Sequence, residues 1–287
     1  LLISFNGGEP TLHPEFLSFA REVLRRGLHL TVLTNAYRLA PDTMDELALW
    51  AQNVHFQISI YGVDNASGAA ITGVQDAHER AFANACAALA RGFSVKVALL
   101  ALQSTAAGMA NLVARLNAAQ IPHDLMLFLS AREDGDVSIR GLAPDEDAMR
   151  GLLQLKSEMV SVADPLDPDQ KWIASGDVRA CGAGVTALAV RADGRILPCQ
   201  VFYSGHVWGQ EPKNSLQEAF ASPQRQEFLQ ANRVPEKCRA CGDWQFCQRC
   251  PADVFNETGG LANVPPSICR LARLWHEWES KKSVLPP

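Results

Sequence analysis

The sequence predicts an α/β protein: a parallel sheet built from repeated strand–helix units, followed by a second, cysteine-rich region. Three observations carry this. Apolar runs alternate with amphipathic stretches of about a dozen residues, the signature of βα units. That rhythm stops near residue 130, and seven of the eight cysteines lie between residues 181 and 269.

The strand candidates, in order, are Leu1–Phe5, Leu28–Leu33, Val54–Ile60, Val95–Leu102 and Leu125–Leu129. All are near-continuous apolar segments, as expected of parallel strands covered by helices. The first helix has Pro14 near its start, Phe16, Ala20, Val23 and Leu24 at helical spacing, and Gly27 where a C-terminal cap belongs. A second runs from about Ala77 to Arg91 with Gly92 after it, and a third carries Leu112, Val113 and Leu116 before Pro122. The polar stretch SAREDGDVSIRGLAPDEDAMR leads into one more helix, about Asp145 to Val162. ADPLDPDQ then reads as a linker. We therefore expect a first domain over residues 1–130, a linker with a helix over 131–170, and a small α+β domain over 171–287.

Composition narrows the partners. The chain has 287 residues, 47% of them hydrophobic, with a net charge of −5. No block of Lys or Arg stands out, which argues against nucleic acid or an anionic membrane as partner. No apolar run approaches the length of a membrane span, and there is no charged-then-apolar leader. A cytoplasmic location is expected. The chain begins on Leu1, already inside a strand pattern, so an N-terminally truncated protein with an exposed sheet edge at Leu1–Phe5 is also expected.

The cysteines are the strongest chemical signal. Cys181 is followed by twelve residues, Gly194, four more residues and Cys199, and LAVRADGRILPC reads as a β-hairpin turning at Asp193 and Gly194. CRACGDWQFCQRC groups Cys238, Cys241, Cys247 and Cys250, and Cys269 opens the last helix. Without a secretory leader such spacing argues for metal, and soft thiolates in close pairs suit zinc or iron-sulfur clusters. Cys86, alone among alanines on a helix, reads as a small core residue.

FNGGEP raises a separate point. A strand that runs into Gly7 and Gly8 leaves bare backbone beside Glu9 and Pro10, open to close approach. GGEP at a strand end, the βα rhythm, QISIYG on a later strand and the seven-cysteine pattern together resemble the radical SAM enzymes that carry a SPASM domain, a group that includes sulfatase maturases and peptide-modifying maturases.

The resemblance implies a partial (β/α)6 TIM-like barrel lacking its first βα unit, plus a small cysteine-rich SPASM domain. It implies S-adenosyl-L-methionine as cofactor. Gly7, Gly8, Glu9 and Pro10 would lie at its methionine end, with Glu9 facing the ammonium group, and Asn35, Gln57, Ser59 and Tyr61 would lie near its ribose and methionine. Thr34 and Arg80 match more loosely, and His123 and Asp124 read as a surface turn. Cys238, Cys241, Cys247 and Cys269 would hold one auxiliary [4Fe-4S] cluster, and Cys181, Cys199 and Cys250 a second, one thiolate short. Two residues, not the usual three, separate Cys247 from Cys250. The three-cysteine CxxxCxxC loop that holds the SAM-binding cluster is not among these residues, so the chain alone is expected to be inactive.

The parent enzyme would generate a 5′-deoxyadenosyl radical to modify a peptide or protein side chain, with flavodoxin or ferredoxin as electron donor. No catalytic side chain is assigned. The alternatives are a non-catalytic zinc- or cluster-binding module, and a radical SAM enzyme acting on a small molecule.

Overall fold

A computed structural model describes residues 1–132, 136–159, 181–203 and 205–282. The linker reading over 163–170 and the end of the helix expected to reach residue 162 lie outside the described residues. Contacts divide the chain into two compact units: residues 1–127 with 142–159, and residues 128–141 with 181–282, among those described.

The first unit is a five-stranded parallel sheet in sequential order, a partial TIM-like barrel: β1 (Leu2–Phe5), β2 (His29–Thr34), β3 (Val54–Ile60), β4 (Ser94–Leu100) and β5 (His123–Met126). Between them run α1 (Phe16–Arg25), α2 (Pro41–Leu47), α3 (Asn65–Thr72), α4 (Ala77–Ala90) and α5 (Met109–Ala118), and α6 (Glu146–Glu158) follows β5. The short α3 is absent from the periodicity argument because its small apolar residues show no helical period. Its ends are nevertheless marked: Asp64 and Ser67 form a reciprocal capping box, and Gly73 closes it in the left-handed region.

Strand register sorts the side chains onto two faces. Leu30, Val32 and Thr34 align with Val54, Phe56 and Ile58, and these with Val95 and Val97. This row is fully buried, with Phe56 meeting Phe93 edge-on at 5.0 Å. Residues between them face the other way: Leu33, Gln57 and Lys96 lie side by side, as do Ser59, Ala98 and Asp124. β1 pairs with β2 and β5 with β4, which leaves these two strands at the sheet edges. His123 and Asp124 are not in a surface turn. They pair with Val97 and Ala98 inside β5, and Asp124 accepts from Lys156 Nζ of α6 at 2.5 Å.

The second unit contains a small antiparallel sheet of β6 (Ala189–Val190), β7 (Arg195–Leu197) and β8 (Gly209–Gln210). The hairpin turns where the sequence placed it. Gly194 has φ +83°, and a Cβ there would sit 2.5 Å from the Glu211 carbonyl, so no other residue fits. Helices α7 (Leu216–Ala221), α8 (Pro223–Ala231), α9 (Glu236–Arg239), α10 (Pro251–Thr258) and α11 (Pro266–Lys282) follow. The unit also has an apolar core of its own, which the sequence reading did not anticipate. Phe202 packs edge-on against Phe228 at 5.5 Å, and Trp208 and Phe228 meet at 5.6 Å.

Among the described residues, buried ring nitrogens without a hydrogen-bond partner include those of His78 on α4 and of His206 among Phe202, Phe228 and Phe255. Burial holds the His78 imidazole below its ordinary value of 6.5, with Glu79 opposing the shift, and burial does the same at His206. The unfolded chain therefore takes up these protons first as pH falls. Stability is full above about pH 6.5 and declines below it, until the folded-state values are passed. We expect the denaturant midpoint to fall between pH 7.5 and pH 5.5, and a His78→Leu variant to show a shallower decline in hydrogen-exchange protection of α4.

Candidate functional site

Two groups of residues emerge. The first lies at the carboxyl end of β1 and β2. Gly7 has φ +126°, which an L side chain rarely adopts, and a Cβ at Gly7 or Gly8 would meet nothing within 4 Å. The exposed glycine backbone therefore borders open space.

Glu9 ties this turn to the next strand. Its Oε1 accepts from Thr11 N at 3.1 Å, Thr11 Oγ1 at 2.6 Å and Thr34 Oγ1 at 2.6 Å, and its Oε2 accepts from Asn35 N at 2.7 Å. Pro10 opens the 3-10 turn Pro10–Leu12 that presents the Thr11 donors. Beyond it the chain stays fixed: Ala36 N donates to Thr34 Oγ1 at 2.9 Å, Tyr37 N to Asn35 Oδ1 at 2.9 Å, and Asn84 Nδ2 to the Ala36 carbonyl at 2.7 Å. No local pattern signals that Glu9 and Thr34 meet, because 25 residues separate them. Gln57 and Ser59 are half-buried on the less apolar sheet face, and Tyr61 follows the end of β3. Arg80 lies 4.7 Å from the Tyr37 ring centre and pairs with Asp76 at 3.6 Å.

The second group is the cysteines. No disulfide links any of the eight. Cys86 is half-buried on α4, apart from the others in sequence and unit. The remaining seven fall into two sets by the charges that act on them. Cys247 feels Cys269 and Cys238, and Cys269 feels Cys238 and Cys241. Cys250 feels Cys199 and Cys181, and these three pack against the apolar core.

The environment of both sets disfavours bare thiolates. Burial, then Cys269 and Cys238, pushes the Cys247 thiol up to about 11. Burial raises Cys250 well above the ordinary range, with Asp253 adding to it, and burial also raises Cys269. Backbone amides nevertheless point at the sulfurs. Ala183 N donates to Cys181 Sγ at 3.4 Å, the Arg249 amide acts on Cys247, and the Asp253 amide acts on Cys250, which stands at the N-terminus of α10. The guanidinium of Arg249, 7% exposed, donates to the carbonyls of Leu261 and Asn263 and acts on Cys247 and Cys269. Amide donors and a buried cation beside sulfurs fit a polynuclear thiolate-bound group, which carries negative charge. Among the described residues, no three His, Cys, Asp or Glu side chains converge on a point where one metal ion would sit.

Sequence reasoning passed over two residues here. Arg249 entered only as a spacer between cysteines. Asp253, three positions past Cys250 and 6% exposed, accepts hydrogen bonds from Ser130 and Cys250.

Residues 181–242 match the SPASM domain, an iron-sulfur cluster-binding domain. Over its length the chain is similar to PqqA peptide cyclase of Methylorubrum extorquens (strain PA1), 25% identical over 96% of this chain and 73% of that protein. The same enzyme of Gluconobacter oxydans is 26% identical over 95% and 77%. Among solved structures, Streptococcus suis SuiB bound to S-adenosylmethionine superposes with a TM-score of 0.68 at 17% identity, over 94% of this chain and 66% of that one. Native anSMEcpe with bound AdoMet and Cp18Cys peptide gives 0.70 at 15% identity, over 98% and 84%. These two structures share the fold.

Two outcomes follow from this geometry. Glu9→Ala removes four accepted hydrogen bonds, and we expect a loss of about 1–3 kcal/mol in urea unfolding. Because the thiols must lose protons to bind iron, uptake of iron and sulfide is expected to rise steeply from pH 6 to pH 8 and to release protons, which buffers of different ionisation heat would register calorimetrically.

Proposed function

We propose that this chain, which is related to the radical SAM enzymes that carry a SPASM domain, is part of a maturase that modifies a peptide or protein side chain. The single observation that carries the proposal is the grouping of seven cysteines into two sets in the second unit, whose residues 181–242 match an iron-sulfur cluster-binding domain. The names of the relatives add the substrate class: a peptide cyclase, and structures with bound peptides, SuiB with its precursor peptide SuiA among them.

On this reading Gly7 and Gly8 offer backbone to the methionine end of S-adenosyl-L-methionine. Glu9 has the capacity to take its ammonium group, since Oε2 accepts only the Asn35 amide while Oε1 takes three donors. Thr11, Thr34 and Asn35 hold the carboxylate in place for that contact. Gln57 and Ser59 put polar groups on the sheet face that would meet the rest of the cofactor, and Tyr61 stands at the same strand end.

Cys238, Cys241, Cys247 and Cys269 would hold one auxiliary [4Fe-4S] cluster, and Cys181, Cys199 and Cys250 a second. Such clusters, when bound, accept or pass single electrons at potentials set by burial and by hydrogen bonds to sulfur. The chain's own part is to supply those amide donors and to place Arg249 beside the Cys247 set. The CxxxCxxC loop of the family is not among these 287 residues, and we expect no cleavage of S-adenosyl-L-methionine by them alone.

Metal analysis of protein purified and reconstituted without oxygen tests the proposal. About eight irons per chain with matching sulfide are expected for two such clusters. Stoichiometric zinc with no iron uptake would replace this reading with that of a zinc-binding module. About four irons would leave one cysteine set without a cluster.

A further inference from the structure

The set formed by Cys181, Cys199 and Cys250 offers three thiols, one fewer than a [4Fe-4S] cluster takes from cysteine alone. One carboxylate lies against it. Asp253 sits one turn into α10, three residues after Cys250, with only 6% of its surface exposed. It accepts from the Ser130 hydroxyl and the Cys250 thiol, yet its Oδ1 is buried with no hydrogen-bond partner. A buried carboxylate oxygen left bare is costly unless something electropositive meets it.

The burial is hard to explain as an ion pair. Arg140, the cation whose charge reaches Asp253, bonds the Glu257 carboxylate through Nη1 at 2.9 Å, and its Nη2 is itself buried without a hydrogen-bond partner, so it does not close on the Asp253 Oδ1. Iron held by the three thiols would give the bare oxygen, three residues along the helix from Cys250, an electropositive partner.

We propose that Asp253 is the fourth protein ligand of the cluster held by Cys181, Cys199 and Cys250, so that this site is closed by oxygen and not left open to substrate. The proposal rests on the cluster reading above. His206 is the other buried side chain with a ligating atom and no partner near this core, but it is enclosed by the rings of Phe202, Phe228 and Phe255. It serves as the control position.

The test uses the full 287-residue chain, reconstituted anaerobically as wild type, Asp253→Asn, Asp253→Cys and His206→Phe. In Asp253→Asn we expect iron to fall from about eight to about seven per chain, with the oxidised-state EPR signal of a three-iron cluster. In Asp253→Cys we expect full iron and a more negative reduction potential for one cluster only, with the other unmoved. His206→Phe should keep the wild-type iron content and spectra.

Asp253→Asn with full iron and only a shifted potential would make Asp253 a hydrogen-bond donor to sulfur and overturn the proposal. So would an Asp253→Cys protein whose two potentials match wild type, which is decisive even where Asp253→Asn fails to fold. Loss of the fourth iron in His206→Phe alone would move the ligand to His206. Wild-type protein that takes up zinc and no iron would remove the cluster reading itself, an outcome separable from the others because it appears before any variant is made.

Discussion

The C-terminal unit is organised by the cost of burying thiols close together. Seven cysteines in two sets, with Cys247, Cys250 and Cys269 all pushed above their ordinary range, form an arrangement that resists ionisation by itself. Several neighbouring groups act in the opposite sense. Amides of Ala183, Arg249 and Asp253 act on sulfur, and the Arg249 guanidinium is buried beside the Cys247 set. Apolar residues such as Phe202, Trp208 and Phe228 fix the backbone from which these donors project. A thiolate-bound metal group would complete such a scaffold in the way that metal binding completes other small domains.

The N-terminal unit meets a different constraint, that of presenting bare backbone at a strand end without letting the turn collapse. Gly7 supplies the conformation and leaves open space beside it. Glu9 supplies rigidity by joining two adjacent strand ends through one carboxylate. On the proposed reading one residue has two duties, holding the turn and keeping an acceptor in reach of a ligand. That the same side chain serves both means its loss would be felt in folding as well as in binding.

Much of this was legible in the sequence. Five apolar runs mark the five strands because parallel strands buried by helices need little polar alternation. The ends were harder. β5 begins at His123 and not at Leu125, since His123 aligns with buried Val97 while Asp124 lies on the less buried face in an ion pair with Lys156, which pattern alone does not reveal. The division of the cysteines into sets came from the resemblance, whereas Asp253 and Arg249 carried no signal. Their roles depend on burial and on partners far along the chain, such as Ser130 and Leu261. The aromatic core of the second unit was hidden for a like reason: its rings are scattered from Phe202 to Phe255 with no period to betray them.

The two-residue spacing between Cys247 and Cys250 fixes more than ligand identity. Three peptide steps span at most about 11 Å between Cα atoms even when fully extended. Whatever the two cysteine sets bind is therefore tethered at short range by covalent backbone, with Gln248 and Arg249 as the bridge. Centres so close exchange electrons by tunnelling far faster than enzymes turn over. The pair would then behave as one reservoir, able to take two electrons in sequence and to share them regardless of which centre receives the first.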